Sequence, residues 1–179
     1  MSAGASPPPP PGPRAAEREA GPACFSKDRV YRYWLSRRWS SAGGVANFVL
    51  LNPSTADEQR LDPTLRRCLG FAQRWGFGAM VVTNIFALRS TDPQGLRRVG
   101  DPVGPENDGH VLTQAERADL VIAGWGRHGA LHGRGRAVAA MLSAELGAGR
   151  VVCLGLTGAG DPKHPLDLAA SERPRPFNP

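Results

Sequence analysis

Four short apolar runs punctuate the chain, and each gives way to a polar signature: FVLLNPSTAD from Phe48, MVVTNIF from Met80, LVIAGWG from Leu120 and VVCLGLTGAGDPKHP from Val151. Continuous apolar runs of this length are characteristic of strands buried on both faces of a parallel sheet. Ligand sites of such sheets lie beyond the carboxyl ends of the strands. The pattern therefore predicts that Asn52, Asn84, Trp125 and His164 meet in one crevice, although they are far apart in the chain.

Helical spacing separates the runs. The first strand is expected over roughly Ala46 to Leu51. Asp62-Pro63 then supplies an N-cap and a first-turn proline, and Leu65, Cys68, Leu69 and Ala72 follow at helical spacing until Gly76. Ala79 to Thr83 is the second strand, followed by a loop through Asp92-Pro93 and a helix near Glu106 to Arg117 with Val111, Leu112, Ala115 and Ala118 on its apolar stripe. Leu120 to Ala123 is the third strand, Arg136 to Leu146 a helix, and Arg150 to Leu154 the fourth strand. Strands alternating with helices predict an α/β fold, a three-layer α/β/α sandwich around a central four-stranded parallel sheet. From Arg29 to Trp39 aromatic or apolar residues alternate with basic ones, as in a β-ribbon covering a sheet edge.

Composition trims this picture at the N-terminus. Residues 1–24 are dominated by Pro, Ala, Gly and charge, with too little apolar area to offset the entropy of ordering. A disordered tail is expected there, with a polyproline docking segment as the alternative, and a single domain over 25–179. No run of 18 apolar residues and no signal peptide is apparent, so a cytoplasmic protein is expected. Lys and Arg total 22 against 16 Asp and Glu, for a formal net charge of +6. This favours a polyanionic partner, although an arginine-rich composition also follows from GC-rich coding.

Cys24, Cys68 and Cys153 are odd in number and widely spaced, as reduced thiols are, and cannot supply a four-cysteine iron–sulfur cluster. His110, His128, His132 and His164 have no regular ligand spacing with them, so neither metal nor cofactor is expected. Neither a Walker pattern nor a dinucleotide-binding glycine pattern is present.

The order of strand-end signatures, N-P-S, then N, then WG, then HP, resembles the uracil-DNA glycosylase-like superfamily over roughly residues 48–168. The LNPSTAD core resembles a family of bacterial and phage proteins. The resemblance implies a DNA glycosylase, expected to be a monomer without cofactor. It would flip a base out of single- or double-stranded DNA and hydrolyse its glycosidic bond, in repair or in defence against phages with modified DNA.

Such chemistry needs a group that places water and a donor that stabilises the departing base. Asn52 and His164 are the expected catalytic pair, with an ordinary Asx-Pro turn and a loop histidine as the plainer readings. By resemblance Asn84 reads the base edge; its plain reading is a strand-end cap. Trp125 and Phe86 are candidates to contact the base, although core packing is the stronger reading of both. Arg89, Arg127, Arg134, Arg136 and Lys163 suit a phosphate-binding rim, and Leu166, after Pro165, an apolar wedge into the base stack.

Two departures from the superfamily pattern stand out. Asn52-Pro53-Ser54 replaces the Asp-Pro-Tyr of the best-known uracil enzymes, which leaves space beside base C5 for a 5-substituted pyrimidine. HPLDL replaces H-P-S-P-L-S, which puts a serine contact to phosphate in doubt. A non-catalytic nucleic-acid- or nucleotide-binding domain, or a hydrolase of nucleosides or nucleotide sugars, would fit the same scaffold.

Overall fold

The computed structural model describes residues 21–54, 56–147 and 149–178. Its frame is an α/β fold around one seven-stranded mixed sheet. The strands are β1 (Ala23–Phe25), β2 (Arg32–Arg38), β3 (Val45–Leu50), β4 (Ala79–Asn84), β5 (Leu120–Ala123), β6 (Val151–Cys153) and β7 (Arg175–Pro176), in the spatial order β1-β2-β4-β3-β5-β6-β7. β3 pairs in parallel with both β4 and β5, and β5 with β6. Antiparallel strands extend this block on both sides.

Three helices are α1 (Pro63–Arg74), α2 (Asn107–Glu116) and α3 (Arg134–Leu146). α1 starts where Asp62 Oδ1 accepts the Leu65 N–H at 2.8 Å and Pro63 fills the first turn. Its buried stripe of Leu65, Cys68, Leu69, Phe71 and Ala72 packs with Ala46, Phe48 and Leu50 of β3. Strand alternation turns Val49 to the opposite face, where it packs with Val111 and Ala115 of α2 and Val138, Ala139 and Leu142 of α3. α1 therefore covers one face of the sheet, and α2 and α3 the other. The chain leaves β3 toward one face and leaves its neighbours β4 and β5 toward the other. A crevice opens between such diverging loops.

Three expectations need correction. The segment from Arg29 to Trp39 does not cover an edge; β2 is an interior strand, paired with β1 on one side and β4 on the other. The expected tail lies outside the described residues up to residue 20, but Ala23 and Cys24 belong to β1, and the Gly21 N–H donates to the Glu58 carbonyl at 3.1 Å. Backbone pairing, together with Ala23 packed against the core, orders this short edge.

The basic residues of β2 are also not all outward. Arg32 and Arg37 are 1 % and 2 % exposed; their terminal guanidinium nitrogens donate to backbone carbonyls, while the Nε of each has no partner. Arg37 donates to Ser36 O at 2.8 Å and Asp57 O at 2.7 Å, and Arg32 to Ala56 O at 3.0 Å.

Candidate functional site

The loops that follow β3, β4, β5 and β6 converge on one cleft of about 700 Å³. The first contributes Asn52 and Ser54, the second Ser90 and Thr91, the third Trp125, Arg127 and His128, and the fourth Lys163, His164 and Leu166. Of the residues singled out from sequence, Asn52, Ser54, Trp125, Arg127, Lys163, His164 and Leu166 are brought together here. Pro53 and Pro165 are buried beside them.

Asn52 is held by its amide nitrogen. Nδ2 donates to Pro53 O at 3.0 Å and to Ser90 O at 2.7 Å, so both N–H groups are committed to the backbone. Oδ1, the acceptor, is left for a ligand in the cleft. The Ser54 hydroxyl donates to Asp62 Oδ2 at 3.1 Å, and the other oxygen of that carboxylate caps α1. The helix cap and the site loop thus share one side chain.

His164 lies at the start of a short turn in which the Leu166 N–H points at its Nδ1, 3.4 Å away. An acceptor at Nδ1 puts the proton of the neutral ring on Nε2. Burial pushes the His164 pKa below the usual histidine value, and the nearby carboxylates of Asp167 and Asp62 oppose this. The ring is therefore a neutral donor at pH 7. Its loop is docked on the G-W-G segment: the Gly126 N–H donates to Pro162 O at 2.8 Å, and Pro165 packs so closely on Gly124 that a Cβ there would meet Pro165 Cδ at 3.0 Å. Leu166 next to it is 47 % exposed.

Trp125 is a wall and not a free platform. It is 2 % exposed, meets Phe177 edge-on at 5.8 Å, and lies so close to Gly129 and Gly135 that a Cβ at either would strike the indole, at 2.0 and 2.6 Å.

Three predicted residues lie elsewhere. Asn84 is buried, and its Oδ1 faces the Arg32 guanidinium at 3.4 Å while its carbonyl accepts from Asn107 at 2.9 Å. Phe86 is fully buried in the core shared with α2 and α3. Arg89 places its guanidinium 5.2 Å from the Phe25 ring centroid and donates to the Arg29 carbonyl at 3.3 Å. The expected base-reading, stacking and phosphate roles of these three find no place in the cleft. Of the other rim arginines, Arg134 is turned to the Ile85 carbonyl (2.8 Å) and to Asp108, while Arg136 lines a second pocket behind Trp125.

Sequence reading missed the hydroxyl residues Thr64, Ser90 and Thr91. A short polar side chain in a loop gives no periodic signal, and only the Asp92-Pro93 turn next to Ser90 and Thr91 marked their loop. Among the described residues no group of three or more His, Cys, Asp or Glu is placed to hold a metal ion. Cys68 and Cys153 are buried, and burial raises the Cys68 pKa further above the usual thiol value. Among the same residues no helix is long and apolar enough to cross a membrane.

No curated protein and no solved structure matches this chain. The family described as "Protein of unknown function (DUF1643)" matches residues 32–166, from buried Arg32 to exposed Leu166 and across all four strands whose loops form the cleft, so the chain belongs to that family.

Proposed function

We propose that the chain is a monofunctional DNA glycosylase that extrudes a modified or damaged base into the cleft and hydrolyses its N-glycosidic bond. The fold reading that accompanies it is a uracil-DNA glycosylase-like α/β/α sandwich around the four parallel strands. The protein would act as a monomer on DNA in the cytoplasm. The observation that carries the proposal is the orientation of Asn52. With both amide N–H groups on backbone carbonyls, its oxygen is fixed as an acceptor at the carboxyl end of the central strand.

In this reading Asn52 Oδ1 accepts a hydrogen bond from a water molecule and aims its oxygen at C1′. The C–N bond breaks as the C–O bond forms, and the base leaves with the bonding electron pair. The His164 Nε2–H donates to the base oxygen where negative charge collects, and the proton released by water passes to solvent. Leu166, the most exposed apolar residue of the cleft, fills the gap left in the stack. Exposed Arg127 and Lys163 neutralise phosphates on either side.

An amide activates water less than a carboxylate does, which suits a slow, selective excision enzyme. The test is incubation of the purified protein with genomic DNAs of different base modification, followed by mass spectrometry of released bases and alkaline cleavage of the DNA. Free base together with abasic sites supports the proposal. Binding without release would indicate a recognition domain, and turnover of free nucleosides alone a nucleoside hydrolase.

A further inference from the structure

The cleft is chemically divided by loop. Its cations, Arg127 and Lys163, come from the loops after β5 and β6. The side built by the loops after β3 and β4 and by the first turn of α1 presents Ser54, Thr64, Ser90 and Thr91, four of the five hydroxyl side chains lining the cleft, with no cation and no aromatic ring among them; the fifth, Thr157, belongs to the loop after β6. Two of these hydroxyls have set directions: Ser54 donates to Asp62 at 3.1 Å and Ser90 to the Asp92 carbonyl at 2.7 Å. A hydroxyl that donates outward, as that of Ser90 does, still offers its lone pairs to the cleft. The volume, about 700 Å³, is in the range that holds a drug-sized ligand, and a single pyrimidine ring fills only part of it.

Resting on the reading of the cleft as a base-excision site, we infer that this hydroxyl-lined side is a subsite for a polyhydroxylated substituent on the base, a glycosyl group carried at C5 of a pyrimidine. A polyol supplies O–H donors to the seryl and threonyl oxygens and takes donors from them. A phosphorylated substituent would find no cation on this side, and a flat aryl substituent no ring to stack on. The division also orients the substrate, with the DNA backbone along Arg127 and Lys163 and the substituent toward Ser54 and Thr91.

The experiment has two readouts on the full chain. Affinity is measured for three duplexes of one sequence carrying cytosine, 5-hydroxymethylcytosine or glucosylated 5-hydroxymethylcytosine at a single position, using Asn52→Ala to keep the DNA intact. Base release is measured with the parent protein. Each hydrogen bond gained is worth about twofold to tenfold in affinity, so the glucosylated duplex is expected to bind about tenfold or more tighter than the cytosine duplex. Placed in the Asn52→Ala background, Ser54→Tyr should abolish that preference by filling the space. Thr91→Val, an exposed and nearly isosteric change, should weaken it about twofold to tenfold even if the tyrosine variant fails to fold. Equal affinity for the three duplexes, or a preference that survives both substitutions, overturns the subsite. Preferential binding without release of any base keeps the subsite and removes the glycosylase reading. Release of bases with no preference for the glycosylated one does the opposite.

Discussion

Asn52 and Ser90 lace two loops of the cleft together: Asn52 Nδ2 donates to Ser90 O at 2.7 Å, and the Ser90 N–H donates to Pro53 O at 2.8 Å. This relationship requires an N–H donor at the position of Nδ2, which an amide supplies and a carboxylate does not. In Asn52→Asp a carboxylate oxygen would replace Nδ2 and face two carbonyl oxygens at close range. The substitution is expected to destabilise the fold by about 1–3 kcal/mol and to lower base release, although it introduces the stronger base. Urea denaturation and an excision assay check both parts; a stable, faster variant would show that Nδ2 is not the anchored atom.

Arg32 invites a test in which two effects oppose each other. Its guanidinium is buried, with Nε unpaired, a hydrogen bond of 3.0 Å to Ala56 O and a longer one to Asn84; burial pulls its pKa down to about 10, so it stays charged at neutral pH. Burying a cation costs several kcal/mol, which one good charge-assisted bond of about 1.5–3 kcal/mol does not clearly offset. Arg32→Met is therefore expected to change stability by no more than about 1 kcal/mol while untethering the loop that carries Asn52 and lowering excision. A loss of several kcal/mol on denaturation would show instead that Arg32 is net stabilising.

His164 gives the stability a pH dependence with a defined sign. Its folded pKa lies below the unfolded value of about 6.5, so between these values the unfolded chain binds a proton that the folded chain does not. The contribution of neutral His164 is complete above about pH 6.5 and is lost as pH falls toward the folded pKa, below which it levels off. Comparing unfolding free energies of the parent and His164→Gln across pH 4–8 is the check. The difference should change through the weakly acidic range, and parallel curves would contradict the assignment.

Much of this geometry is legible in the chain. The strand ends expected at Leu51, Thr83, Ala123 and Leu154, where apolar runs stop at polar signatures, lie within one residue of the observed Leu50, Asn84, Ala123 and Cys153, and α1 starts at Asp62-Pro63 as expected. The fate of Asn84 is not legible, although strand parity carries half of it. A period of two puts Asn84 on the face of Met80 and Val82, and only tertiary pairing brings buried Arg32 there to occupy it. The edge strands β1 and β7 have three and two residues. Distant backbone partners order them, and no composition rule reports such partners.

Leu166 tests the extrusion step separately from the chemistry. Its side chain is half exposed at the cleft mouth and supports little of the core, so Leu166→Ala should leave stability unchanged. Unstacking a base costs a few kcal/mol in duplex and less in single strands. The substitution is expected to slow excision about tenfold or more from duplex DNA, and far less from single-stranded DNA of the same sequence. Equal slowing on both substrates would remove the wedge role.

In the proposed reaction Asn52 Oδ1 places the water that cleaves the glycosidic bond. The most direct measurement is the single-turnover rate of base release, under saturating protein, for the parent and Asn52→Ala on a DNA from which the parent releases base. Loss of a positioned catalytic group lowers such rates by about 10²–10⁴. A loss of that size with DNA affinity nearly unchanged is expected, whereas release by Asn52→Ala at the parent rate would exclude this role for Oδ1.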